Sequence, residues 1–202
     1  MNRASRRKIS YVVAVAALGG PILYLLIHTH QPTDVFLLVA LLFLIPGRIP
    51  GYFWKEFFRG NKFLGIGEME KGIQHFEKFL AQVRQRPWLK RLMWFRFGIY
   101  TWDIEAMTQN NMGAAKLQLG RFAEAECHFH AALDLDPQYS VPYFNLALVA
   151  EVAEKEQQAK DLFEESIRLG YRKISWDEFV RKAGSMVATL EAPGTKSAKG
   201  TQ

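Results

Sequence analysis

From Gly120 to Pro137 the chain reads GRFAEAECHFHAALDLDP. Phe122, Ala125, Phe129 and Ala132 recur at spacings of three and four, the stripe of an α-helix with one apolar face. Leu119-Gly120 ahead of it reads as a turn. Asp136-Pro137 ends it, because the residue before a proline is pushed out of the helical region. Working backwards, the turn closes an earlier helix carrying Gly113, so a helix–turn–helix of 34 residues begins at Ala106. Working forwards, the next 34 residues begin at Ser140 and repeat the pattern. Ala147 stands opposite Gly113, Ala159 opposite Ala125, Phe163 opposite Phe129, Ser166 opposite Ala132 and Ile167 opposite Leu133. Small residues at these places let two helices approach closely, and the phenylalanine fills the gap between them.

This pattern resembles the tetratricopeptide repeat family, most specifically over Gly120 to Pro137. The second copy is weaker: Glu154 replaces the turn glycine and Gly170-Tyr171 the terminal Asp-Pro. A third, degenerate copy starting at Phe53 puts Gly60, Gly67, Gly72, Phe76, Phe79 and Leu80 in register and ends near Arg84. The resemblance spans 53–84 and 106–173. It implies an all-α fold, a short solenoid whose first helices line a groove. The groove positions it carries over are Met107, Asn110, Ala114, Leu117 and Gln118, then Val141, Phe144, Leu148, Glu151 and Val152. They form a mostly apolar surface with amide edges, suited to an amphipathic helix or an extended peptide of a protein partner. The lysine and asparagine with which some members hold a peptide carboxylate fall at Asn110 and Ala114, so that clamp is absent. The chain's own C-terminal helix or inserted segment is a rival occupant of the groove.

The ends of the chain differ from the middle. Of 202 residues, 49% are apolar and 13% aromatic, which excludes disorder of the whole. Mean hydropathy is −0.09, but that average hides a division. Residues 9–28 include a run from Ile9 to Ile27 with no charged side chain, close to the roughly 20 residues a helix needs to cross a bilayer. A second, shorter run, VFLLVALLFLIP from Val35 to Pro46, lies in segment 33–49. It spans if Thr33 and Asp34 open it and Arg48 reaches back to the surface; a re-entrant hairpin is the rival geometry. The basic tail 1–8 with the first run is similar to a signal peptide, but no small-residue cleavage site follows, so it reads as an uncleaved anchor. Net charge is +6 overall, made of +4 over 1–50, +4 over 51–105, −5 over 106–170 and +3 over 171–202. Positive charge on both flanks of the hairpin puts both termini and the repeats in the cytoplasm. The lone Cys127 is compatible with that reducing side. A compact chain without a separate targeting segment favours a bacterial inner membrane.

Segment 50–84 opens with Tyr52, Phe53, Trp54, Phe57 and Phe58, the composition of an interfacial aromatic belt, ahead of the degenerate repeat. About 19 residues then interrupt the period. Segment 85–105, QRPWLKRLMWFRFGIYTWDIE, interleaves Trp88, Trp94, Phe95, Phe97, Tyr100 and Trp102 with Lys90, Arg91 and Arg96. It reads as a membrane-interface element, as a patch for a partner protein, or as a helix extension packed on the stack. Repeats occupy 106–139 and 140–173. In 174–191, Ser175 and Glu178 form a capping box ahead of Trp176, Phe179, Val180, Ala183, Val187 and Leu190, an amphipathic helix fit to close the stack. The tail 192–202 is rich in small and basic residues and reads as disordered.

No phosphate-binding glycine loop, catalytic triad or acid–base pair appears. His128/Glu124 and His130/Glu126 share helical spacing but lie on different sides, and His28 and His30 share a short loop; these read as surface residues. One cysteine excludes a multi-cysteine metal site. No catalytic residue, cofactor, metal, small-molecule substrate or nucleic acid is expected. The expected function is a membrane-anchored adaptor that holds a partner protein at the cytoplasmic face, in contact with membrane lipids. The alternative is an accessory subunit of a membrane complex whose hairpin makes the main contacts.

Overall fold

The computed structural model describes residues 51–95, 100–171 and 174–191, with a scatter of helical residues between Ile9 and His28; the side chains of Trp94, Phe95, Leu190 and Glu191 are not described. The basic tail 1–8, the second apolar segment 33–49, Phe97 and the tail 192–202 lie outside that set, as does much of 9–28. Among the described residues no helix is long and apolar enough to cross a membrane.

The described chain is all-helical. α1 (Lys55–Gly65) pairs with α2 (Met69–Gln85), α3 (Ile104–Gln118) with α4 (Phe122–Leu135), and α5 (Ser140–Val152) with α6 (Glu156–Arg168). α7 (Trp176–Glu191) follows. A 3₁₀ segment, Pro87–Phe95, joins the first pair towards the second.

Each pair turns in the same way. Glu68 N–H donates to the Phe63 carbonyl and Gly67 N–H to that of Leu64. Arg121 and Gly120 repeat this on Lys116 and Leu117, Lys155 and Glu154 on Ala150 and Glu151, and Tyr171 and Gly170 on Ser166 and Ile167. This crossed pair of bonds satisfies the last helical carbonyls and requires a left-handed residue. Gly67 (φ 83°), Gly120 (φ 74°), Gly170 (φ 99°) and Glu154 (φ 57°) take that place. Glu154 is the only non-glycine of the four and carries the associated strain.

The helices of a pair meet at one recurring contact. A Cβ built on Gly113 would lie 2.6 and 2.7 Å from the ring of Phe129, and one on Gly60 would lie 2.5 Å from that of Phe76. Ala147 and Phe163 stand at the same spacing in the third pair. Phe76 and Phe129 are fully buried. The same register in all three pairs makes the packing repeat-like.

Two larger cores result. The first gathers Trp54, Phe57, Phe76 and Phe79 with Leu89, Leu92 and Met93 of the 3₁₀ segment. The second gathers Phe129, Phe144 and Phe163 with Phe179 and Ala183 of α7. One sequence expectation changes here. Trp54 and Phe57 belong to the core rather than to a surface belt: both rings meet Phe79 of α2, Phe57 also meets Phe76, and the Trp54 indole N–H donates to the Leu89 carbonyl at 3.3 Å. Of the three readings of 85–105, Leu89, Leu92 and Met93 fit a segment packed on the stack, as a 3₁₀ stretch rather than a helix extension, with Trp88 left outside at 43% exposure.

Side chains also tie the pairs together. Arg121 meets Glu70 at 2.5 Å, Lys90 pairs with Glu105, and Thr101 donates to Asp136 at 2.8 Å. Asp103 caps α3, accepting from the amides of Glu105 and Ala106 at 2.7 and 3.1 Å. At the far end, Glu178 N–H donates to Ser175 Oγ at 3.2 Å, and Phe179 and Ala183 of the helix it opens are buried against the third pair.

Candidate partner-binding face

The first helices of the pairs, α1, α3 and α5, carry polar side chains at their mutual contacts. Asn145 Nδ2 donates to Asn110 Oδ1 at 2.9 Å, and Asn110 Nδ2 approaches Asn111 Oδ1 at 3.5 Å. Asn111 Nδ2 donates to Asn61 Oδ1 at 2.9 Å, and Asn61 Nδ2 donates to the Phe57 carbonyl at 3.0 Å. A chain of amides thus crosses α5, α3 and α1. Each primary amide has two donors and two acceptor lone pairs, so every member keeps hydrogen-bonding capacity after these contacts. Sequence reasoning found only Asn110. Asparagine is a poor mid-helix residue, and Asn111 and Asn145 are 34 residues apart; those two facts together were the available signal.

The ten groove positions divide by exposure. Gln118 is exposed, while Met107, Ala114, Val141, Glu151 and Val152 are half-buried. Asn110, Leu117, Phe144 and Leu148 are buried, at 5%, 4%, 2% and 5% exposure. Phe144 is covered by the chain itself. Tyr171 stacks on it at 4.3 Å, Phe179 of α7 meets it edge-on at 5.4 Å, and Lys182 lies 5.2 Å above its ring. Tyr100 comes within 6.0 Å of Tyr171. The start of α5 is therefore lined by this chain's own aromatics, and the open part of the face lies along α3 and the far end of α5. There Glu151 Oε2 is out of solvent and makes no hydrogen bond among the described residues.

The aromatic set of the interrupting segment is split. Trp88 is exposed and packs edge-on against Phe53 at 5.0 Å, whereas Trp102 is half-buried against the first core. The side chains of Trp94 and Phe95, and all of Phe97, lie outside the described residues.

The histidines have other partners than each other. His128 Nδ1 donates to Gln109 Oε1 at 2.8 Å, and burial, helped by Lys116, holds its imidazole below the usual range. His130 lies 3.8 Å from Glu126 at the surface. His75 donates to Glu56 at 2.6 Å. That bond, chiefly, draws the Glu56 carboxyl below its ordinary value; burial opposes it and the charges of His75 and Arg59 assist it. Among the described residues no three His, Cys, Asp or Glu side chains converge as a metal site would require. Cys127 is exposed. No protein-family model matches this chain, and no curated protein matches its sequence.

Proposed function

We propose that this chain is a membrane-anchored adaptor of the tetratricopeptide repeat type, holding a partner protein against its first-helix face on the cytoplasmic side of the membrane. The apolar runs in 9–28 and 33–49 serve as the anchoring hairpin, and no catalytic role is assigned. One observation supports this most: three helix pairs share one register, one end is capped by α7, and an amide-edged strip of α3 and α5 is left accessible between them. Stacked helix pairs of this kind curve with their first helices inside, which makes a cradle for a helix or an extended peptide. Confinement to the membrane raises the local concentration of the partner, so a modest groove affinity suffices.

The experiment is photocrosslinking in native membranes with the probe at Gln118 or Val152, read by mass spectrometry. The adaptor reading requires a protein captured from both positions and lost when Ala114 is replaced by Glu. A second reading has the buried Phe144 and Leu148 in its favour: self-coverage of the groove shifts the contacts to the hairpin. A probe at Gly20 tests it, since among the described residues a Cβ there would meet nothing within 4 Å. Capture from Gly20 alone, by a membrane-embedded protein, replaces the adaptor with an accessory subunit.

A further inference from the structure

The entrance of α1 and the exit of α2 form a cleft of about 470 Å³. Lys55 lines it from the start of α1 and Arg86 from the C-cap of α2, at the open end of the first helix pair, together with Gln82 and Gln85. Both cations are exposed, and neither takes part in a described ion pair. Glu56 also lines the cleft, but both of its oxygens are engaged: Oε1 accepts from Arg59 at 3.0 Å and Oε2 from His75 at 2.6 Å. The cleft therefore presents uncompensated positive charge beside amide donors.

Its outer rim is aromatic. Tyr52 is 80% exposed and Trp88 43%. They are 36 residues apart in sequence, and Phe53 joins them, meeting Tyr52 edge-on at 5.2 Å and Trp88 edge-on at 5.0 Å. Large rings with a polar edge, next to cations, match the level of a bilayer where acyl chains give way to phosphates. The position in the chain names the occupant. The apolar run ends at Pro46, six residues before Tyr52. Six residues span at most about 20 Å, so the rim cannot be farther than that from the end of the run.

We propose that this cleft seats the headgroup phosphate of an anionic phospholipid, with Tyr52 and Trp88 resting on the bilayer and Lys55 and Arg86 on the phosphate. The inference rests on the membrane-anchored reading above. It adds that the repeats are held at one orientation to the membrane, by their first pair. Each basic residue near an anionic surface is worth roughly a fivefold preference, so the two together favour the seated state by roughly 25-fold. That preference falls with ionic strength, since screening is strong beyond about 10 Å at 0.1 M salt.

The test uses the full chain in nanodiscs of phosphatidylcholine alone or mixed with phosphatidylglycerol. Gln85→Cys places a thiol in the cleft, and the native Cys127, exposed on α4, is the internal reference. The ratio of maleimide labelling rates at the two thiols is read by mass spectrometry. The expected result is at least a severalfold fall in the ratio when phosphatidylglycerol is present. High salt should reverse the fall, and the pair Lys55→Gln and Arg86→Gln, both surface changes that leave the helical circular dichroism intact, should remove it. A chain that enters the discs with the same ratio in both lipids overturns the cleft and spares the anchor. A chain that stays outside the discs overturns both. Inorganic phosphate that lowers the ratio equally in phosphatidylcholine discs reassigns the cleft to free phosphate and overturns the lipid seat.

Discussion

Replacing Gly113 by Ala should destabilise the second helix pair, although alanine is the better helix former. A Cβ at Gly113 would lie 2.6 and 2.7 Å from two ring carbons of Phe129 and 3.1 Å from the Ala125 carbonyl oxygen. Carbon atoms pack at about 3.5–4.0 Å, so the ring or the helix must give by roughly 1 Å. Phe129 is fully buried, and the carbonyl belongs to α4 itself, so neither moves freely. Overpacking of this kind costs about 1–3 kcal/mol, and the tight enclosure points to the upper end. Alanine in a helix interior returns about 1 kcal/mol. The net is a loss of about 2 kcal/mol, near 30-fold in the folding constant. Gly184→Ala is the matched control: among the described residues its Cβ would meet nothing within 4 Å, so it should gain up to about 1 kcal/mol. The assay is urea unfolding of the full chain in detergent, followed by circular dichroism, with the midpoint shifting at constant slope. Adding Phe129→Leu to Gly113→Ala should recover part of the loss through a positive coupling. The reasoning is refuted if Gly113→Ala and Gly184→Ala stabilise by the same amount. The third pair sharpens the test, since it holds Ala147 at that register and leaves Phe163 6% exposed where Phe129 is wholly covered.

Glu154→Gly should stabilise by about 0.5–1 kcal/mol in the same urea assay, because the left-handed strain at φ 57° exceeds the extra chain entropy of glycine. Phe179→Ala should cost about 3–5 kcal/mol and release α7, seen as proteolytic cleavage inside 176–191; a variant whose α7 stays resistant would mean that the cap is held by other contacts. Glu56→Gln should cost about 1.5 kcal/mol at neutral pH through the lost charged hydrogen bond to His75. The folded carboxyl lies below its unfolded value, so this stability is present above the unfolded value, about 4.3, and is lost as pH falls through the folded one. Wild type and variant should accordingly converge in acid, as read from unfolding midpoints across a pH series.

The helix pairs were legible because close packing of two helices leaves a periodic trace in one chain. The small residues at Gly113, Ala125 and Ala132 and the intervening Phe129 can be read without coordinates, and even the diverged copy keeps Gly60, Gly72 and Phe76. The groove was less legible. Phe144 and Leu148 fall at partner-facing positions by register, yet both are buried, and Tyr171 and Phe179 reach Phe144 from a later turn and helix. The aromatic stretch after Tyr52 misled for a related reason: Trp54 and Phe57 have the composition of a surface belt, and it is the packing of α2 and, for Trp54, of Leu89 that covers them. The amide chain went unseen because its members sit at unequal places in their units, Asn61 three positions later than Asn111 and Asn145.

Local chemistry along the chain determined what is local or strictly periodic: helical segments, the glycine-bearing turns between them, the 34-residue spacing and the capping serine of the last helix. These depend on a residue's near neighbours and on a repeat that places equivalent residues in equivalent surroundings. The tertiary structure alone decided which first-helix residues remain open, where the interrupting segment lies, and that Tyr52, Lys55 and Arg86 share one cleft with Trp88 beside it against Phe53. Those outcomes depend on contacts between residues more than twenty-five positions apart, and nothing in the period of either partner specifies the other.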